Sequence, residues 1–143
     1  MPPYVLQADG AARGNPGPAG AGAVLFAPDG RVLVELRKSL GVATNNVAEY
    51  EALVIGLEEA RRRGVDDLVI RLDSELLVKQ MRGEYRIRNA TLAPLAQRAI
   101  RLIAELGARI EHVPRALNAH ADRLANEAID RLGAETEPPQ GLG

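Results

Sequence analysis

Apolar and polar positions alternate along residues 4–9, with Tyr4, Leu6 and Ala8 on one side and Val5, Gln7 and Asp9 on the other. That period marks a half-buried strand. Residues 10–20 are crowded with Gly, Ala and Pro and predict a turn-rich connection. Residues 21–27 predict a second strand, Pro28-Asp29-Gly30 a hairpin turn and residues 31–37 a third strand, so three antiparallel strands follow one another. The period then changes. Ala52, Leu53, Gly56, Leu57 and Ala60 recur at helical spacing in a helix over 46–63, and Gly64 stops it. Residues 68–72 are a nearly continuous apolar run, as in a buried parallel strand. A short helix over 74–81, a longer one over 92–106, a fifth strand over 109–113 and a last helix over 118–132 complete the pattern. Such an order predicts an α/β domain, a mixed sheet with helices on its faces. Functional groups in these sheets gather at strand ends and adjoining loops.

Composition narrows this picture. A length of 143 residues fits one domain with a real core. Residues 1–134 form that domain, and the Pro- and Gly-rich residues 135–143 are expected to be a disordered tail. There is no internal repeat. No apolar run reaches the ~20 residues of a membrane-spanning helix, and the first residues lack the basic and apolar regions of a secretory signal. Cysteine is absent, which excludes disulfides and thiolate metal sites. The expectation is a cytoplasmic monomer. The net charge of −1 shows none of the basic excess common in nucleic-acid binders, so any basic patch must be local. Aromatics make up 3% and Trp is missing, which argues against recognition by base stacking.

Four acids stand at element ends, and each has an ordinary reading. Asp9 before Gly10 suits a turn. Glu49 shares the apolar face of its helix with Ala52 and Leu53, where an unpaired carboxylate is costly; it also suits a capping box with Asn46. Asp73 after residues 68–72 suits a helix N-cap. Asp122 suits the favourable dipole of a first helical turn, or a plain surface acid. Taken together they are harder to explain away. A sheet of order 3-2-1-4-5 makes strands one and four central neighbours and brings all four acids to one region. Converging carboxylates repel unless cations neutralise them, and hard oxygen donors select Mg²⁺ or Mn²⁺.

The motifs around these acids resemble the type 1 ribonuclease H family. The matching pieces are Asp9-Gly10 with Arg13-Gly14-Asn15-Pro16-Gly17, Thr44-Asn45-Asn46-Val47-Ala48-Glu49, Asp73-Ser74, and Asn118-Ala119-His120-Ala121-Asp122. They fall in the family's order and cover residues 4–132. The resemblance implies a ribonuclease H-like five-stranded mixed sheet, with Asp9, Glu49, Asp73 and Asp122 as metal-holding catalytic acids. It implies an endonuclease that hydrolyses the RNA strand of RNA–DNA hybrids by in-line attack with two Mg²⁺ (or Mn²⁺) ions about 4 Å apart, leaving a 5′-phosphate and a 3′-hydroxyl. Substrate contacts are implied for Gly10, Ala11, Arg13, Asn15, Asn45 and Asn46, in a segment set that reads RNA 2′-hydroxyls. Thr44 would approach a DNA phosphate. A 2′-hydroxyl offers a donor and an acceptor that DNA lacks. The alternatives are a same-fold nuclease acting on double-stranded RNA and a non-catalytic nucleic-acid-binding module.

The sequence also departs from the family's pattern. Many members carry a basic helical protrusion where this chain has only residues 82–91, so it resembles the branch that lacks it. Arg82, Arg86 and Arg88 remain as candidates for phosphate contact, against the reading of a solvated turn. The mobile His of many members has no counterpart in Pro114-Arg115-Ala116-Leu117, where Arg115 is the best-placed substitute. His112 falls in the fifth strand and is expected to pack; His120 is expected on the surface. Glu75 stands where many members have Gln, as an altered substrate contact or a solvent-facing first-turn acid.

Overall fold

The computed structural model of the chain describes residues 2–131. The expected tail lies outside the described residues. The elements are β1 (Tyr4–Ala12), β2 (Gly17–Phe26), β3 (Val32–Ala43), α1 (Asn45–Arg62), β4 (Leu68–Leu72), α2 (Glu75–Met81), α3 (Leu92–Leu106), β5 (Arg109–His112), a 3-10 turn at Arg115–Asn118 and α4 (Ala119–Asp130). The sheet has five strands in the order β3-β2-β1-β4-β5, as the acids required. β1, β2 and β3 pair antiparallel, while β4 runs parallel to β1 and β5 parallel to β4.

One expectation is corrected. Residues 10–20 are mostly strand, with Gly10 opposite Ala21, Ala11 opposite Gly20 and Ala12 opposite Ala19. Only residues 13–16 are left as the turn. Ala and Gly disfavour strands by propensity, but tertiary packing overrides it. Here the packing needs their smallness: a Cβ on Gly20 would stand 2.5 Å from the Ala125 carbonyl oxygen, and one on Gly22 2.5 Å from the Ala125 nitrogen. The missing side chains let α4 lie directly on the sheet. β3 likewise runs on to Ala43, well past residue 37.

α1 crosses the opposite face over β1 and β2, and α3 packs on α1. Leu6 and Ile70 from the sheet meet Leu53 and Leu57 of α1 and Leu102 of α3 in one core, all fully buried. Gly56 lets α1 approach β1, since a Cβ there would lie 2.8 Å from Leu6 Cδ1. No helix among the described residues is long and apolar enough to cross a membrane.

Candidate active site

β1 and β4 are parallel neighbours, paired from Tyr4 with Leu68 to Gln7 with Arg71. Asp9 and Asp73 each follow that last pair by two residues, so the register sets them side by side where the parallel pairing ends. α1 delivers Glu49 to the same place. Gly10 permits it: a Cβ on Gly10 would fall 2.1 Å from the Ala48 carbonyl carbon and 2.3 Å from the Glu49 nitrogen. Carboxylate oxygens of Asp9, Glu49 and Asp73 all lie within 4.8 Å of one another. Asp122 comes from α4 on the other face of the sheet. It is outside that compact set, but close enough to Asp9 to help raise the Asp9 carboxyl.

The ordinary readings of these acids give way to specific contacts. α1 is capped by Thr44, whose hydroxyl accepts from the Val47 nitrogen at 3.2 Å. Asn46 is therefore inside the helix, and Glu49, in the second turn, has no capping box to close. α2 is capped by Ser74, whose hydroxyl accepts from the Leu77 nitrogen at 3.1 Å, so Asp73 is not the cap. Asp9 is no turn residue either: it pairs with Gly22 inside β1 and is only 9% exposed. Asp122 is half-buried.

Burial and crowding shape the charge of the site. Burial pushes the Asp9 carboxyl up to about 8, helped by Asp73, Asp122 and Glu49. Burial and then Asp73 raise Glu49 to about 7, while the Arg115 guanidinium pulls it down. Two buried carboxyls raised toward neutrality mark a site where ionisation is costly unless positive charge is supplied. Among the described residues, none of the four acids joins an ion pair.

A family model described as reverse transcriptase-like matches residues 7–128. A ribonuclease HI of Halobacterium salinarum is 47% identical over 85% of this chain and 62% of its own length. A bifunctional protein of Mycobacterium tuberculosis is 45% identical over 88% of this chain, which spans only 35% of that protein. The solved N-terminal RNase H domain of the Mycobacterium protein superposes with a TM-score of 0.85, covering 89% of this chain and 98% of that domain at 45% identity. LC11-RNase H1, solved in complex with an RNA/DNA hybrid, gives a TM-score of 0.84 at 42% identity, covering 92% and 99%. The chain belongs to the type 1 ribonuclease H family.

Around the acids of this ribonuclease H domain, the remaining expected residues fall into two groups. Asn15, Thr44, Asn45 and Asn46 come together: the Asn15 side-chain oxygen accepts from the Asn45 nitrogen at 3.1 Å, and both Asn45 and Asn46 are exposed. Ala11 is half-buried on β1, while Gly10 is buried beneath α1. Arg13 turns away toward α4 and pairs with Asp130 at 2.8 Å. Arg115 is exposed on the 3-10 turn. Glu75 faces solvent and pairs with Lys79 at 3.7 Å. No helix fills residues 82–91; Arg82 donates to the Ile110 carbonyl at 2.6 Å, and Arg86 and Arg88 are exposed with no ion pair among the described residues.

Both histidines differ from expectation. β5 is an edge strand with little cover, so His112 is exposed rather than packed, its Nε2 lying 3.3 Å from the Asp73 carbonyl oxygen. His120 is half-buried: α4 lies on β3 there, and the ring meets Glu35 and packs edge-on to Phe26 at 5.8 Å. Asn118 had no expected role beyond its motif. It is fully buried and donates to the Ala8 carbonyl at 3.0 Å, bolting the start of α4 to the residue before Asp9.

Proposed function

We propose that this chain hydrolyses the RNA strand of RNA–DNA hybrids in a divalent-metal-dependent reaction, leaving a 5′-phosphate and a 3′-hydroxyl. The observation that carries the reading is the convergence of Asp9, Glu49 and Asp73 within 4.8 Å, with Asp122 near enough to act on the Asp9 carboxyl. The donor set fits hard cations. It is all carboxylate oxygen, it joins no ion pair among the described residues, and its raised carboxyls ionise more readily when positive charge arrives. The hybrid as substrate is supported by LC11-RNase H1, which was solved with one.

Asp9, Glu49, Asp73 and Asp122 would hold Mg²⁺ or Mn²⁺. Two such ions, when bound, supply charge neutralisation at the scissile phosphate and a water of lowered pKa for in-line attack. The chain's own part is placement. Asp9 and Asp73 stand on the two central strands and Glu49 on a helix locked against Gly10, so the acids ride on rigid elements. Asn15, Asn45 and Asn46 form an exposed amide cluster beside the site, with donors and acceptors suited to a 2′-hydroxyl. Arg115 contributes positive charge next to Glu49. With residues 82–91 too short for a protrusion, hybrid binding rests on few basic contacts.

The test is cleavage of end-labelled hybrid, double-stranded RNA and double-stranded DNA in Mg²⁺. Loss of the RNA strand of the hybrid alone is expected. EDTA should abolish it, and Asp73→Asn should lower it by more than about a hundredfold, since loss of even an outer contact to a metal ligand costs 10–100-fold. Equal cleavage of double-stranded RNA, or full activity in EDTA, overturns the reading.

A further inference from the structure

The β1–β2 turn, residues 13–16, is fastened on both sides. Asn15 ties it to the first residue of α1, as described above. Arg13 reaches the opposite way, across α4. Its Nη1 donates to Asp130 Oδ1 at 2.8 Å and its Nη2 to Asn126 Oδ1 at 3.3 Å. The same Asn126 uses its Nδ2 to donate to the Asp122 carbonyl at 3.0 Å and to the Asp122 carboxylate at 3.4 Å. One side-chain amide thus bridges a guanidinium and a site carboxylate.

The chemistry of the bridge admits one orientation. A guanidinium only donates and an ionised carboxylate only accepts. Asn126 must therefore show its oxygen to Arg13 and its nitrogen to Asp122, and each neighbour enforces what the other needs. Asp122 is the acid with most need of such a hold. It stands outside the compact set of three, on the helix that covers the other face of the sheet.

We propose that Asn126 is a positioning residue for Asp122, and that Arg13 acts on the site through Asn126 rather than by touching the hybrid. The inference rests on the reading above in which Asp122 helps hold the metal. It converts Arg13 from a substrate ligand into the outer member of a chain Arg13–Asn126–Asp122. It also links the turn that carries Asn15 to the orientation of a metal-holding acid.

Asn126→Leu keeps the branched shape, at a larger volume, and removes all three side-chain hydrogen bonds; Arg13→Leu removes only the outer one of these, together with the pair to Asp130. Three quantities are measured for each and for the double variant: Mn²⁺ binding by calorimetry without nucleic acid, kcat and KM on hybrid, and melting in EDTA. Asn126→Leu should weaken Mn²⁺ binding and lower kcat, each roughly tenfold, as removal of an outer contact to a metal ligand does. Its KM should stay unchanged and its melting in EDTA close to that of the parent. Arg13→Leu should shift the same quantities less, and the double variant should be no worse than Asn126→Leu alone. The proposal is overturned if Asn126→Leu binds Mn²⁺ and turns over like the parent. It is also overturned if Arg13→Leu raises KM and its effect multiplies with that of Asn126→Leu. Should Asn126→Leu not fold, Asn126→Ser and the exposed Arg13→Leu carry the same comparison. A parent chain that binds Mn²⁺ but leaves hybrid intact would refute the nuclease reading and still allow the Mn²⁺ comparison to decide this one.

Discussion

Neutralising Asp9 should stabilise the metal-free protein while destroying its chemistry. The Asp9 carboxyl is held at about 8 in the folded chain against an ordinary value of 3.8. Below about pH 4 both folded and unfolded states keep the proton, so nothing is lost. As pH rises toward 8 the unfolded chain releases it first, and folded stability falls across that window. At about 1.4 kcal/mol per pH unit, the penalty on the folded state is bounded at about 4 kcal/mol at pH 7. Side-chain movement and water entry relax a good part of it, so Asp9→Asn is expected to gain about 2 kcal/mol in the absence of metal. For a chain of this length that is about 6 °C of melting temperature. The assay is thermal unfolding followed by circular dichroism in EDTA at pH 5, 7 and 8, parent against Asp9→Asn. The advantage of the variant should grow with pH, and saturating Mg²⁺ should erase it, because the cation binds the ionised parent. An advantage that is absent, or the same at pH 5 and pH 8, refutes the claim that the acids are crowded for want of a cation.

Three further expectations follow from the same contacts. Gly10→Ala places a methyl group where the Ala48–Glu49 backbone lies; overpacking of this kind costs about 1–3 kcal/mol, and both denaturant midpoint and cleavage rate should fall together, whereas parent-like values would contradict the close approach. Arg115→Ala removes the charge that holds Glu49 down, so the acid limb of the pH–rate profile should move to higher pH, and an unmoved limb argues against that contact. Hybrid affinity should fall roughly tenfold between about 50 and 200 mM salt if Arg86 and Arg88 are the two main phosphate contacts of their stretch; replacing both with Ala should flatten that slope, and a slope indifferent to them places the basic contacts elsewhere.

The element sequence was legible because each strand and helix carries its own period, with Leu68–Leu72 reading as a buried parallel strand, and the sheet order followed from bringing the four acids together. The β1–β2 hairpin was not. Its run of Ala and Gly reads as loop by local preference, and only the nearness of α4 explains why Gly20 and Gly22 are small inside a strand. That cause lies more than a hundred residues away along the chain. The histidines misled for different reasons. The expected order already set the fifth strand at an edge, which should have left His112 exposed, whereas the first turn of α4 gives no sign that Glu35 waits on β3.

The acids were legible as a set and ambiguous singly, and the structure shows why both were true. Asp73 and Glu49 sit where helices begin, and acids there usually cap. Thr44 and Ser74 do the capping instead, which leaves the two carboxylates without a structural task. The net charge of −1 concealed this. Most of the other charges are spent on one another, as in Arg37 with Glu127, Arg98 with Glu58 and Arg109 with Asp67. An average over those pairs is near zero wherever the surplus lies. The surplus lies in Asp9, Glu49, Asp73 and Asp122, none of which is in an ion pair among the described residues, and two of which are raised by burial and then by the neighbouring acids. Pairing of acids elsewhere and crowding of acids here supports the proposal that this is a place for cations. Even Arg13, the guanidinium nearest in sequence to Asp9, is drawn off to Asp130 and reaches the acids only through the amide of Asn126.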